Sequence, residues 1–153
     1  MRGEAEIEQL LARSELEPVT GAAADGTPLL EQAQKTAATA AGLASADPYS
    51  AYVLAYDAAR FACIALLAQQ GIRATTGGGH YAVERAVRAQ FGDGFRPFGG
   101  LRRRRNELEY PHLPSDTASR EEAAEAVEVA RRLIAAASHL LPQLALFAAR
   151  QEP

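Results

Sequence analysis

The stretch from Asp47 to Gly71 constrains the fold more than any other part of the chain. Asp47-Pro48 is a helix-start signal, an N-cap followed by a proline in the first turn, and Gly71 is a stop. Between them the sequence is apolar on almost every side of a helix, so the segment must be surrounded by other elements. Its most apolar window, Ala51 to Ala68, carries Asp57 and Arg60 near the middle. That argues for a central core helix rather than a membrane span. Asp57 and Arg60 are spaced i and i+3 and form a candidate structural pair. A buried Asp57 would need a cation, drawn from Arg60, Arg104 or Arg105.

The covering elements also read as helices. Ala and Leu are frequent, Val and Ile are sparse, and no alternating run suggests a strand. Gly3 to Ser14 is a short helix with Ile7, Leu10 and Leu11 on one side. Leu16 to Gly26 is a loop broken by Pro18, Gly21 and Gly26. An Ala-rich helix starts at Thr27-Pro28 and runs to about Ala44. His80 to Phe91 is a fourth helix, with Tyr81, Val83, Ala86, Val87 and Phe91 as its apolar set. Phe95, Pro97 and Phe98 anchor the start of a fifth, which ends before Pro111. Ser115-Asp116 opens the last long helix, where Ala123, Val127, Ala130, Ile134, Ala137 and Leu141 keep 3–4 spacing and Glu128 pairs with Arg132 on the wet side. Pro142 breaks it, and Leu144 to Arg150 can form a short terminal helix. Gly77-Gly78-Gly79 reads as a flexible link, because it lacks the Gly-Lys-Ser/Thr and the preceding strand of a phosphate loop.

A chain of 153 residues is one domain by length. Its single cysteine, Cys63, excludes an internal disulfide, sits among apolar neighbours as an inert thiol, and fits a reducing cytoplasm. The N-terminus has no basic-then-apolar pattern, so no signal peptide is expected. Charge is unevenly placed. Residues 1–59 carry net −6, residues 60–105 net +7, and residues 106–153 net −4, giving −3 for the whole chain. A basic block between acidic flanks suits an anionic ligand or nucleic acid. It equally suits blocks that neutralise one another across the fold, and the fifteen Arg against one Lys make any Arg cluster less informative.

The densest chemistry lies in Leu101-Arg-Arg-Arg-Arg-Asn-Glu-Leu-Glu-Tyr-Pro-His-Leu-Pro114. Leu101 and Leu108 share a helix face, with Arg104 and Arg105 on the same side and Arg102 and Arg103 pointing elsewhere. At least one arginine should therefore face the interior or a subunit boundary and meet an anion. No metal site stands out, since His80, His112 and His139 have no paired helical spacing and there is no Cys cluster. His139 reads as a core or boundary residue and His80 as structural or surface. Arg105 with His112 is the remaining pair: an Arg can hold a phosphate bidentately and a His can move protons near neutral pH. The simpler alternative pairs Arg105 with Glu109 at i+4 and leaves His112 in solvent.

Residues from about 47 to 141 resemble a HEPN domain, a helical bundle with an Arg-x(4–6)-His motif near the end of a late helix. Arg105 to His112 gives Arg-x6-His. Asn106 after the Arg, Tyr56-Asp57-Ala58-Ala59-Arg60 and Gly79-His80 are also similar to HEPN sequences. Tyr110 stands where an Arg-x4-His spacing would place the His, and Pro111 ends the helix before His112. The resemblance implies an all-α bundle of about five to six helices at 46–153, preceded by a helical extension at 1–45. It implies a two-fold homodimer whose motifs meet in a cleft, which fits Ala-rich neighbours too slight to cover the central helix. It further implies RNA binding or metal-independent RNA cleavage with no cofactor, of a toxin–antitoxin or defence type, with a nucleotidyltransferase-type antitoxin as a partner. Arg105, His112, Asn106 and Tyr110 would then be the catalytic set, and Arg102, Arg103 and Arg104 the RNA contacts. The rival reading is a non-catalytic interaction module that takes a protein partner or a small anionic ligand in the same cleft.

Overall fold

The computed structural model describes residues 2–147, and among them the chain is mostly helical. The Asp47 signal acts as expected. Its carboxylate accepts a hydrogen bond from the Ser50 amide at 3.2 Å, Pro48 occupies the first turn, and Gly71 leaves the helix at φ 74°. The helix between them, α3 (Pro48–Gln69), follows α1 (Glu4–Ala12) and α2 (Thr27–Leu43) and precedes α4 (Gly79–Phe91), α5 (Arg96–Glu109) and α6 (Arg120–Leu140). It is the hub of the bundle: α2, α4, α5 and α6 all pack on it. Although long and apolar enough to cross a bilayer by length and composition, most of it lies inside the bundle.

Alanine explains how α2 and α6 come so close. Ala33, Ala37 and Ala40 of α2 and Ala123, Ala126, Ala130 and Ala137 of α6 are buried, as are Ala55, Ala58, Ala59, Ala62 and Ala65 of α3. Small side chains let helix backbones approach, at the expense of apolar area per residue. Larger side chains fill the ends, with Tyr56, Phe98, Leu66 and Leu67 fully enclosed. Residues 2–45 cover a face of the bundle, since Ile7, Leu10, Leu16 and Leu30 belong to the same core as α3. The edge of α3 formed by Val53, Leu54, Asp57, Arg60, Phe61 and Ile64 is only half-buried.

Several local expectations are corrected. The last long helix begins at Arg120, not at Ser115: Ser119 is its N-cap and accepts from the Glu122 amide at 3.0 Å. Ser119-Arg-Glu-Glu122 is a capping-box sequence, a stronger start signal than Ser115-Asp116. Pro142 ends α6 in a single 3-10 turn, Leu141–Gln143. Residues 144–147 are not helical, and 148–150 lie outside the described residues. Glu128 pairs with Arg131 at 3.3 Å rather than with Arg132. His139 is exposed, and so is Tyr81, which leaves Ala82, Val83, Ala86 and Val87 as the inner face of α4.

Two short strands were not foreseen. β1 (Leu16–Pro18) pairs antiparallel with β2 (Ile72–Ala74), with Leu16 opposite Ala74 and Pro18 opposite Ile72. Three residues each are too few to show alternation. The pairing extends on both sides through Val19 N–H to Gly71 O at 2.8 Å and Thr75 N–H to Glu15 O at 3.1 Å. The glycine run after β2 is correspondingly a fitted turn rather than a free link. A Cβ on Gly78 would collide with the Glu15 carbonyl, and Gly79 takes a left-handed φ of 57°.

Candidate functional site

The four arginines fan around α5, and each meets a different environment. Arg102 enters furthest. Its Nε donates to Glu84 Oε2 at 2.7 Å, and Glu84 is only 5% exposed. Gly99 makes room for this joint, because a Cβ there would overlap Glu84 Oε1. Arg102 also lies over the Tyr81 ring, 5.7 Å from its centroid. Arg103 is the exposed member, 3.9 Å from the other Glu84 oxygen. Arg104 is clamped by Glu122 at 2.5 Å, Glu107 at 3.1 Å and Asp116 at 3.4 Å, which ties α5 to the start of α6 and holds its guanidinium pKa above the usual value. The arginine that reaches the buried carboxylate is thus Arg102, not Arg104 or Arg105 as the Leu101–Leu108 face suggested. The difference lies in where α4 places Glu84.

Arg105 sits differently. Its one carboxylate contact is Glu109 at 2.9 Å, the i+4 pair foreseen from spacing. Its guanidinium carbon is 5.5 Å from the centroid of the Tyr56 ring, and its Nε is buried without a hydrogen-bond partner. Tyr56 is fully enclosed, stacked parallel on Phe98 with centroids 5.6 Å apart. The Tyr56 hydroxyl is 2.7 Å from Nδ1 of His80, which α4 presents from its first turn. Burial raises the Tyr56 pKa, so the phenol keeps its proton and can donate it to an Nδ1 that carries none. Burial, then Arg60 and Arg105, with Arg102 adding, hold the His80 pKa below its ordinary value, against an opposing pull from Asp57. A neutral His80 that accepts at Nδ1 carries its own N–H at Nε2.

Arg60 completes the group from α3. Its Nε is 3.8 Å from Asp57 Oδ1, its guanidinium lies 4.9 Å from the Phe61 centroid, and that Nε is buried with no hydrogen bond. The Asp57–Arg60 pair is therefore present but loose. Asp57 is half-buried rather than enclosed, with a side chain 28% exposed, which removes the premise that it needs a partner at any cost.

The other motif residues lie on the outside. Asn106 is exposed on α5. Tyr110, the C-cap, is 78% exposed, and His112 and Leu113 stand in solvent on the connection to α6. Among the described residues no hydrogen bond or ion pair reaches His112. The histidine that touches the Arg105 group within one chain is His80, placed there by a turn of glycines and the angle of α4. Sequence reasoning noted Gly79-His80 only as a likeness, and no spacing rule connects His80 to Tyr56 or Arg105. Cys63 is fully buried with its thiol pKa raised by desolvation, so it is no nucleophile here.

Beside His80 a cavity of about 360 Å³ opens, lined by Arg60, Arg73, Thr75, Thr76, Gly79 and His80 together with Ile64, Ala74 and Val83. Among the described residues no cluster of three or more His, Cys, Asp or Glu side chains converges as a metal site would. No family model, curated protein or solved structure matches this chain.

Proposed function

We propose that the protein binds RNA through the α5 end of the bundle and cleaves it without a metal ion, as a HEPN-type homodimer. The observation that carries this reading is Arg105. Its guanidinium is held against Tyr56, keeps a buried Nε without a hydrogen bond, and faces one carboxylate where Arg104 faces three. An unsatisfied buried donor on a guanidinium with a single carboxylate partner suits an anionic oxygen supplied by a ligand. The dimer reading is supported by half-buried Val53, Leu54 and Phe61 on the α3 edge and by exposed Leu113, apolar groups that a second copy would cover.

In the reaction, Arg105 holds the scissile phosphate, and Asn106 and Tyr110 position the strand. His112 accepts the ribose 2′-hydroxyl proton as the 2′-oxygen bonds to phosphorus. The bond from phosphorus to the 5′-oxygen breaks, that oxygen takes a proton from water, and His112 returns its own proton to solvent. The products are a 2′,3′-cyclic phosphate and a 5′-hydroxyl end. The partner copy's motif would face the same cleft.

A second reading has its own observation: Arg105 already has Glu109 at 2.9 Å, and His112 has nothing to orient it. Under it the protein is a non-catalytic module whose arginines take a protein partner or small anion. The two separate on incubation with RNA in EDTA. Cleavage that yields cyclic phosphate, and falls at least ~10²-fold in Arg105→Ala and in His112→Ala, carries the first reading. RNA bound but never cut, or His112→Ala as active as wild type, leaves the second.

A further inference from the structure

The cavity beside His80 has a composition unlike that of another charged hollow of the molecule. That other one, between α1 and α4, mixes Arg2, Arg85 and Arg88 with Glu6, Glu84 and Asp93, so its charges answer one another. The His80 cavity is walled by Arg60, Arg73, Thr75, Thr76, Gly79 and His80, with no acidic residue in its lining. Each of its arginines has one carboxylate partner outside that lining: Asp57 is 3.8 Å from Arg60, and Glu17 is 2.6 Å from Arg73.

The backbone around it points the same way. β2 ends at Ala74, the Thr75-Thr76-Gly77-Gly78-Gly79 turn follows, and α4 begins with no side-chain cap on its N-terminus. The Gly79 amide is bonded within the turn, to Thr75 O at 2.9 Å, and Gly79 and His80 in the lining set the positive end of the α4 dipole beside the cavity. The Thr75 hydroxyl is already engaged with Ser14 O at 2.6 Å and the Gly78 amide at 3.1 Å, and holds the turn closed. Arg60 lines the cavity with a buried Nε that makes no hydrogen bond. Ile64, Ala74 and Val83 supply an apolar side, so the space accepts an organic group as well as an oxyanion.

We infer that this cavity is a phosphate-monoester site, with Arg60, His80 and Thr76 as its ligand contacts and the start of α4 behind them. It adjoins the Arg105 grip through the Tyr56–His80 contact but takes its ligand through other side chains, and it does not depend on the RNA reading. Arg60 supplies the charge, the His80 Nε2–H and the Thr76 hydroxyl donate to phosphate oxygens, and the apolar side packs on the sugar or other group that bears the phosphate. The phosphate belongs either to a free sugar phosphate or mononucleotide, or to the 5′ end of an RNA strand.

The test follows the His80 ring by NMR in the full chain while inorganic phosphate, and then ribose 5-phosphate, is added. His139, exposed on α6 and given no part in the RNA cleft, serves as the internal reference. The expected result is a saturable shift of His80 and none of His139, weakened about tenfold or more in Arg60→Gln, as loss of a charged hydrogen bond implies. Thr76→Val, at an exposed position, should weaken it less and removes any ambiguity from misfolding. Arg103→Gln should leave it unchanged. If 5′-phosphorylated RNA binds tighter than 5′-hydroxyl RNA in an Arg60-dependent way, the source is an RNA end. If ribose 5-phosphate binds and the two RNAs do not differ, it is a free ester. A His80 signal that moves no more than His139, or an Arg60→Gln response equal to wild type, overturns the site. Loss of RNA binding in Arg105→Ala, with the His80 response intact, would show that the two sites are independent.

Discussion

Glu84→Gln tests whether the joint between α4 and α5 holds the arginine run in place. The substitution keeps the side-chain shape and removes one charge from a carboxylate 2.7 Å from Arg102 and 3.9 Å from Arg103. At 2.7 Å and an effective dielectric of ~20, the Coulomb attraction of one such pair is about 6 kcal/mol. Desolvation offsets much of that, and breaking a buried pair typically costs about 3–5 kcal/mol. Glu84 is nearly enclosed, but the Arg102 side chain is 20% exposed and keeps its contact with Tyr81, so part of its charge can turn to water. The expected loss is therefore about 2–3 kcal/mol, below the usual range for a fully buried pair. For a domain of this size that lowers Tm by roughly 5–10 °C. The assay is thermal and urea unfolding of wild type, Glu84→Gln and Glu128→Gln. The last breaks the pair with Arg131, whose two side chains are both more than half exposed, and should cost no more than about 1 kcal/mol. A double change, Glu84→Leu with Arg102→Leu, should recover part of the loss, because no charge is left stranded. If Glu84→Gln melts within about 2 °C of Glu128→Gln, a shift too small for a buried pair, the joint is not an electrostatic anchor and the reasoning fails.

Two further outcomes follow from the same geometry. Asp57→Ala removes a half-exposed carboxylate 3.8 Å from Arg60 and should shift stability by no more than about 1 kcal/mol; a loss of several kcal/mol in urea unfolding would show that Asp57 holds more than Arg60. The folded-state pKa of His80 lies below its ordinary value of 6.5, owing to burial and then Arg60 and Arg105, so the unfolded chain binds the proton more readily. Stability from a neutral His80 is complete above about 6.5 and is lost as pH falls through the window below it. Urea midpoints of wild type should drop toward those of His80→Asn as pH is lowered, and a gap that stays constant or widens would refute the assignment.

The architecture was largely legible in the chain because its strongest signals are local. Asp47-Pro48 and Gly71 bound α3, its apolar circumference makes it the hub, and Leu101 and Leu108 set the inner face of α5. Each follows from capping chemistry or helical period, which act over a few residues. The start of α6 was legible too, in Ser119 and Glu122, but a weaker Ser-Asp signal four residues earlier competed with it. The strands were not, since a three-residue ladder is made by its partner and not by its own pattern. The site belongs to the same class. Tyr56, His80 and Arg105 come from three helices, and only the packing of α4 and α5 on α3 puts the phenol 2.7 Å from the imidazole and under the guanidinium. Which arginine goes inward was settled likewise by Glu84 on another helix. Residue types and periods determine what each helix must bury; which polar groups then meet depends on crossing angles and close approaches, at Gly78 and Gly99 above all, and these exist only once the helices are packed.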